Sequence, residues 1–219
     1  TTLAGATRYI ANELFKEYGL VIVDGDDVAS KLKILTALAF NSFINNHTIL
    51  VEGIKNIDQT DINNANQLGY KIKLIGVSES IKNKITQRVH PVLIKEHSNI
   101  AKIDGVLNAV IVESNPVGKT ILQGAGAGPG PTTSSLISDL CSVLRGNIKF
   151  PFVLPDKKRN LANFESANNK KFSAYLRFDV KDMHGILSDV TKVMSKNKIS
   201  VKRLIQNPTI NKKNASIVI

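Results

Sequence analysis

The 219-residue sequence contains no tryptophan and a single cysteine, Cys141. One thiol excludes a disulfide framework and fits a reducing compartment, so a cytoplasmic protein is expected. Aromatic residues make up only 5 %, which leaves little to build a base-stacking surface. No apolar run approaches the ~20 residues that cross a bilayer as a helix, and no charged-then-apolar signal segment opens the chain. No membrane association is expected. His90, which precedes Pro91, and His97 stand alone rather than at metal-ligand spacing, so no metal centre is expected either. Met is absent from position 1, and Thr1-Thr2-Leu3-Ala4 reads like the interior of a larger protein.

Hydrophobic residues account for 42 % of the chain, enough for a packed core and too many for a disordered polymer. The net charge of +11 is unevenly distributed. Residues 1–150 carry 15 basic and 13 acidic side chains, whereas residues 151–219 carry 14 and 5. Such an excess can attract an anionic partner. No nucleic-acid-reading motif accompanies it, however, and lysine far outnumbers the arginine that reads bases, so no nucleic-acid partner is expected.

Periodicity divides the chain into an α+β domain over residues 1–148, a linker over 149–171 and a small module over 172–219. The pattern predicts helices over Thr2–Glu17 and Val28–Phe40, the latter with an apolar stripe of Val28, Leu32, Leu35 and Ala39. Asp26 or Asp27 is placed to cap the second helix. A strand at Thr48–Ile54 and a polar helix over Asp61–Leu68, capped by Thr60, follow. Four Ile/Val-rich strands are then expected at Tyr70–Val77, Ile85–His90, Val106–Glu113 and Lys119–Gln123, and a helix over Thr132–Arg145. The fold class is therefore a mixed β-sheet covered by helices. In the module, strands at Ser173–Val180, Ile199–Gln206 and Ala215–Ile219 and a helix at Gly185–Lys196 form the start of a ferredoxin-like sandwich. Its second helix and fourth strand have no sequence after them. Asn207-Pro208 should break the second strand.

Two near-motifs for nucleotides are rejected. Val117-Gly118-Lys119-Thr120 resembles the end of a phosphate-binding loop, but the opening glycine would fall at Glu113, and Asn115-Pro116 reads as a hairpin turn. Gly124, Gly126, Gly128 and Gly130 are spaced by two and lack the G-x-G-x-x-G frame. They run directly into a helix beginning Pro131-Thr132-Thr133, which suits either a tight turn or close backbone approach to a ligand. Asp27 and Lys31, four apart at a helix start, lie on one face. That spacing fits an exposed ion pair or, in a partly dry cleft, an acid–base pair.

Several segments, in order, resemble homoserine dehydrogenase. They are Gly5-Ala-Thr-Arg-Tyr-Ile10, Gly25-Asp-Asp-Val-Ala-Ser-Lys31, Leu68-Gly-Tyr-Lys-Ile-Lys-Leu74 and Val89-His-Pro-Val-Leu93, continuing through Asp104-Gly-Val-Leu-Asn-Ala-Val110 and Gly124–Ser135. The resemblance covers residues 1–145 as the substrate-binding half, and 172–206 resembles an ACT module, incomplete at Ile219. It implies an NAD(P)-dependent oxidoreductase, using NADP or NAD, that interconverts L-homoserine and L-aspartate 4-semialdehyde in threonine and methionine biosynthesis. The Rossmann domain that carries the family's cofactor site is absent from the sequence, so the chain is expected to be inactive alone. The resemblance implies Lys31 and Asp27 as catalytic residues and Asp27 and Thr7 as substrate contacts. Gly126, Gly128 and Thr132 would lie beside the cofactor. It further implies a possible threonine effector, and an antiparallel sheet edge shared between halves predicts a homodimer. The alternative expectation is a non-catalytic remnant serving dimerisation or amino-acid binding.

Overall fold

A computed structural model describes residues 25–43, 49–147, 156–159, 163–167, 172–208 and 214–219. The helix expected over Thr2–Glu17 lies outside the described residues. The chain divides into two compact units: Thr1–Asn56 with Ile72–Lys170, and Ile57–Lys71 with Lys171–Ile219.

The first unit starts with α1 (Asp26–Phe40). Neither expected carboxylate caps it. Gly25 is the N-cap, in the left-handed region at φ 96°, and Asp26 and Asp27 occupy the first turn, where negative charge complements the helix dipole. Gly25 is required twice over, because a Cβ there would sit 3.0 Å from Val51 Cγ1 in addition to the positive φ. The buried face of α1 is Val28, Ala29, Leu32, Thr36 and Ala37 rather than the stripe through Leu35 and Ala39. Thr36 tolerates burial because its hydroxyl donates to the Leu32 carbonyl at 2.7 Å. This face packs with Leu74 and Val89 into a core flanked by Ile49, Val51 and Ile54.

The sheet beneath α1 contains β1 (Ile49–Val51), β2 (Tyr70–Ile81) and β3 (Lys84–Lys95), in the order β1-β3-β2. β1 runs parallel to β3, with Val51 opposite Val89. β2 and β3 extend well past the expected Val77 and His90, joined by Lys82-Asn83, both at positive φ. That two-residue geometry matches the right-handed twist of paired strands. β4 (Leu107–Ser114) and β5 (Gly118–Ala125) form a separate antiparallel hairpin with Ser114 opposite Gly118. The phosphate-loop look-alike is therefore a hairpin end. α2 (Gln59–Gln67) belongs to the second unit; α3 (Pro129–Leu144) closes the β4–β5 segment. Within the stretch expected as linker, β6 (Asn163–Glu165) pairs in parallel with Lys84–Thr86 of β3.

The second unit contains β7 (Arg177–Lys181), α4 (Ile186–Lys196), β8 (Ile205–Pro208) and β9 (Asn214–Val218). The order is β7-β9-β8 with both pairs antiparallel, so the third strand inserts between the two that flank the helix. This is the split β-α-β arrangement expected from the sequence. Asn207-Pro208 does not end β8 early: both residues lie in the ladder, opposite Ser216 and Ala215. Pro208 sits at the strand's last position, and β8 is an edge strand, where a missing N–H is tolerated.

Candidate functional site

The helix that carries Asp27 and Lys31 is held by the apolar core on its opposite side. That leaves positions 27 and 31 facing outward, one turn apart. Lys31 Nζ donates to Asp27 Oδ2 at 2.9 Å, with the two side chains 45 % and 69 % exposed. By itself this is the geometry of a surface ion pair, which stabilises a helix by only ~0.3–0.5 kcal/mol. Its orientation is the favourable one, with the acid nearer the helix N-terminus. Chemically, it presents an ammonium donor and a carboxylate acceptor side by side at an accessible helix start. Thr7 lies outside the described residues.

The second cluster is the turn between β5 and α3. An added Cβ at Gly126 would overlap the Asn108 side-chain amide, which would have to move to admit it. Gly128 is the N-cap of α3 at φ 111°. Pro129 and Pro131 lack N–H groups, and the Thr132 amide and hydroxyl both donate to the Gly128 carbonyl, at 3.3 and 2.9 Å. Ser135 likewise donates back to Pro131. Of the amides at positions 129–132, that leaves only Gly130 for an outside acceptor. The turn thus suits close approach of a flat group to bare backbone better than a multidentate phosphate cradle.

Two buried polar features escaped the sequence reading. Lys73 belongs to an alternating strand and looks solvent-facing, yet its side chain is 4 % exposed. Its Nζ donates to the Ile103 carbonyl at 2.6 Å and to Asp104 Oδ1 at 2.5 Å, tying β2 to the turn before β4. Arg88, also on a core strand, pairs with Glu79 at 2.6 Å. Local sequence carries no signal for a partner 31 residues away.

Three groups of the second unit depart clearly from ordinary proton affinity. Arg177 donates twice to Asp58, at 3.0 and 2.9 Å, and this guanidinium holds the Asp58 carboxyl below its usual value. The same bonds raise Arg177. Burial, followed by the nearby Asp61 carboxylate, pushes the Tyr175 phenol up.

An exposed Asp–Lys pair and a glycine-lined turn in the α+β first unit, together with a split β-α-β sheet in the second, define a two-unit α+β chain. The comparisons make this specific. A homoserine dehydrogenase family model matches residues 23–141 and an ACT domain model matches residues 174–219. The chain belongs to the homoserine dehydrogenase family. It is 35 % identical over 209 residues to a homoserine dehydrogenase of Neisseria gonorrhoeae, covering 90 % of this chain and 47 % of that one. It is 34 % identical over 198 residues to the Helicobacter pylori enzyme, covering 90 % and 46 %. The crystal structure of a homoserine dehydrogenase from Thiobacillus denitrificans superposes with a TM-score of 0.80 at 31 % identity, covering 95 % of this chain and 50 % of that one. The chain spans about half the length of the curated relatives it matches.

Proposed function

We propose that this chain is the substrate-binding and self-associating half of an enzyme that interconverts L-homoserine and L-aspartate 4-semialdehyde, with NADP or NAD as the hydride carrier. The observation that carries the reading is the Asp27–Lys31 pair, held 2.9 Å apart on the outward face of α1 within the family-matched segment. The dinucleotide, when bound, supplies or accepts the hydride at the carbon bearing the substrate oxygen. Lys31 moves the accompanying proton: in the reductive direction its ammonium donates to the oxygen as negative charge develops there, and in the oxidative direction the proton returns to Nζ. Asp27 holds Lys31 in place and accepts from the substrate's ammonium or an ordered water. Thr7 adds a substrate contact. Gly126 and Gly128 let the cofactor approach the backbone, and Thr132, its hydroxyl proton committed to Gly128, still offers an acceptor.

The exposed apolar face of α3, with Leu136, Ile137, Leu140 and Val143, is the surface proposed for association into a homodimer. The ACT-type module is the proposed seat of an amino-acid effector such as threonine.

The test uses the protein in which this chain is joined to its dinucleotide-binding part. Lys31→Ala should lower kcat by at least about 100-fold, the range for loss of a general acid–base group. Stability should be nearly unchanged, because an exposed helix pair contributes little. Undiminished turnover would remove Lys31 from the reaction.

A further inference from the structure

Asn108 lies on β4 directly opposite Gly124 and is only 9 % exposed. Its primary amide offers two donor hydrogens and an acceptor oxygen. Among the described residues, Oδ1 meets no hydrogen-bond partner, and Nδ2 reaches only the Val106 carbonyl, at 3.5 Å. A buried amide left this idle costs the fold stability, so its polarity calls for a reason outside the fold. Its position is nonetheless well defined. The side chain leans past Gly124 along the strand diagonal and stands where a Cβ at Gly126 would be.

Gly126 is therefore a glycine on account of Asn108. At Gly128 the reason differs: φ is 111°, and a Cβ there would meet Pro131 Cδ at an ordinary 3.9 Å. One glycine turns the chain, while the other receives a side chain from the neighbouring strand. The Val106 carbonyl ties the two partners together, because it also accepts from the Gly126 amide, at 3.2 Å. β4 itself is anchored just before Asn108. The buried Lys73 ammonium donates to the Ile103 carbonyl and to Asp104 Oδ1. A group that places backbone for a ligand needs that kind of fixed support.

We propose that Asn108 is a positioning residue for the dinucleotide: its carboxamide seats the Gly126 backbone, and Oδ1 is held for an N–H donor that comes into place at the turn when the dinucleotide binds. The inference rests on the reading of the Gly126–Gly128 turn as a cofactor contact, and adds the group that supports that turn. An amide already satisfied within the fold would have nothing left to offer. An apolar side chain of similar size would fill the same space without the cost of burying a polar group.

NADPH fluorescence on binding, measured without turnover in the protein in which this chain is joined to its dinucleotide-binding part, tests the proposal. Asn108→Leu keeps the bulk and removes the amide. Its melting temperature should stay within about 2 °C or rise, because the amide stabilises little before the ligand arrives. The Kd for NADPH should rise about tenfold, the scale of one hydrogen bond. The KM for homoserine should change by less than about twofold. An unchanged Kd, or one that rises only in step with a falling melting temperature, would overturn the proposal. A double-mutant cycle with Gly126→Ala and Asn108→Ala supplies the second arm. Gly126→Ala should weaken NADPH binding about tenfold in the natural background and less than about twofold in Asn108→Ala, where the space is already vacated. Additive losses would show that Asn108 does not act through Gly126, and would overturn it too. Weakened NADPH binding in Asn108→Leu beside undiminished turnover in Lys31→Ala would instead keep this proposal and remove the catalytic reading, so the two fail separately.

Discussion

At the scale of single residues, the positions that matter most are those where one atom more cannot be accommodated. Gly25 combines a positive φ with Val51 Cγ1 3.0 Å from where a Cβ would stand. Gly25→Ala should destabilise the first unit by about 2–3 kcal/mol, from left-handed backbone strain and overpacking together. Urea unfolding would measure this, and a shift below about 0.5 kcal/mol, the level of an ordinary surface substitution, would show that α1 can start elsewhere. The spacing of Asp27 and Lys31 was legible in sequence because a helix repeats every 3.6 residues. Asn108 at Gly126, and Lys73 at Asp104, were not, because those contacts join residues far apart in the chain.

At the scale of elements, the helices and strands follow local pattern closely, while their ends follow tertiary need. α2 begins at Gln59 with Asp58 as its cap, not Thr60, because Asp58 can pair with Asp61 in a reciprocal capping box and simultaneously accept from Arg177. This gives the second unit a pH dependence of definite sign. Folding lowers the Asp58 proton affinity below its ordinary value of 3.8, first through Arg177. The stabilisation is fully present above the unfolded value and is lost as pH falls through the lower folded one. Asp58 is half exposed, so solvent and salt moderate the effect. Urea midpoints measured from about pH 5 downward should fall more steeply for the natural sequence than for Asp58→Asn. Parallel profiles would dismiss the role of this carboxylate.

At the scale of the whole molecule, the chain carries more exposed apolar surface than its stability uses. No residue of α3 is buried; Leu136 is 64 % and Leu140 51 % exposed. The Leu136→Glu, Leu140→Glu double variant should therefore keep its unfolding free energy within about 0.5 kcal/mol. Its sedimentation should shift toward the monomer, and an unchanged sedimentation profile would rule out α3 as the associating face. Periodicity and spacing alone determined the α+β class, most of the strands and helices among the described residues, the β-α-β-β succession of the module and the placing of Asp27 and Lys31 on one helix face. All of these rest on interactions within a few residues or on a repeating face. Tertiary structure alone decided that residues 57–71 fold with the C-terminal module, that β6 joins the sheet from within the expected linker, and that Lys73 is buried. Each depends on contacts between segments dozens of residues apart, where the energy of burial and ion pairing is set by what meets in space and not by what is adjacent in the chain.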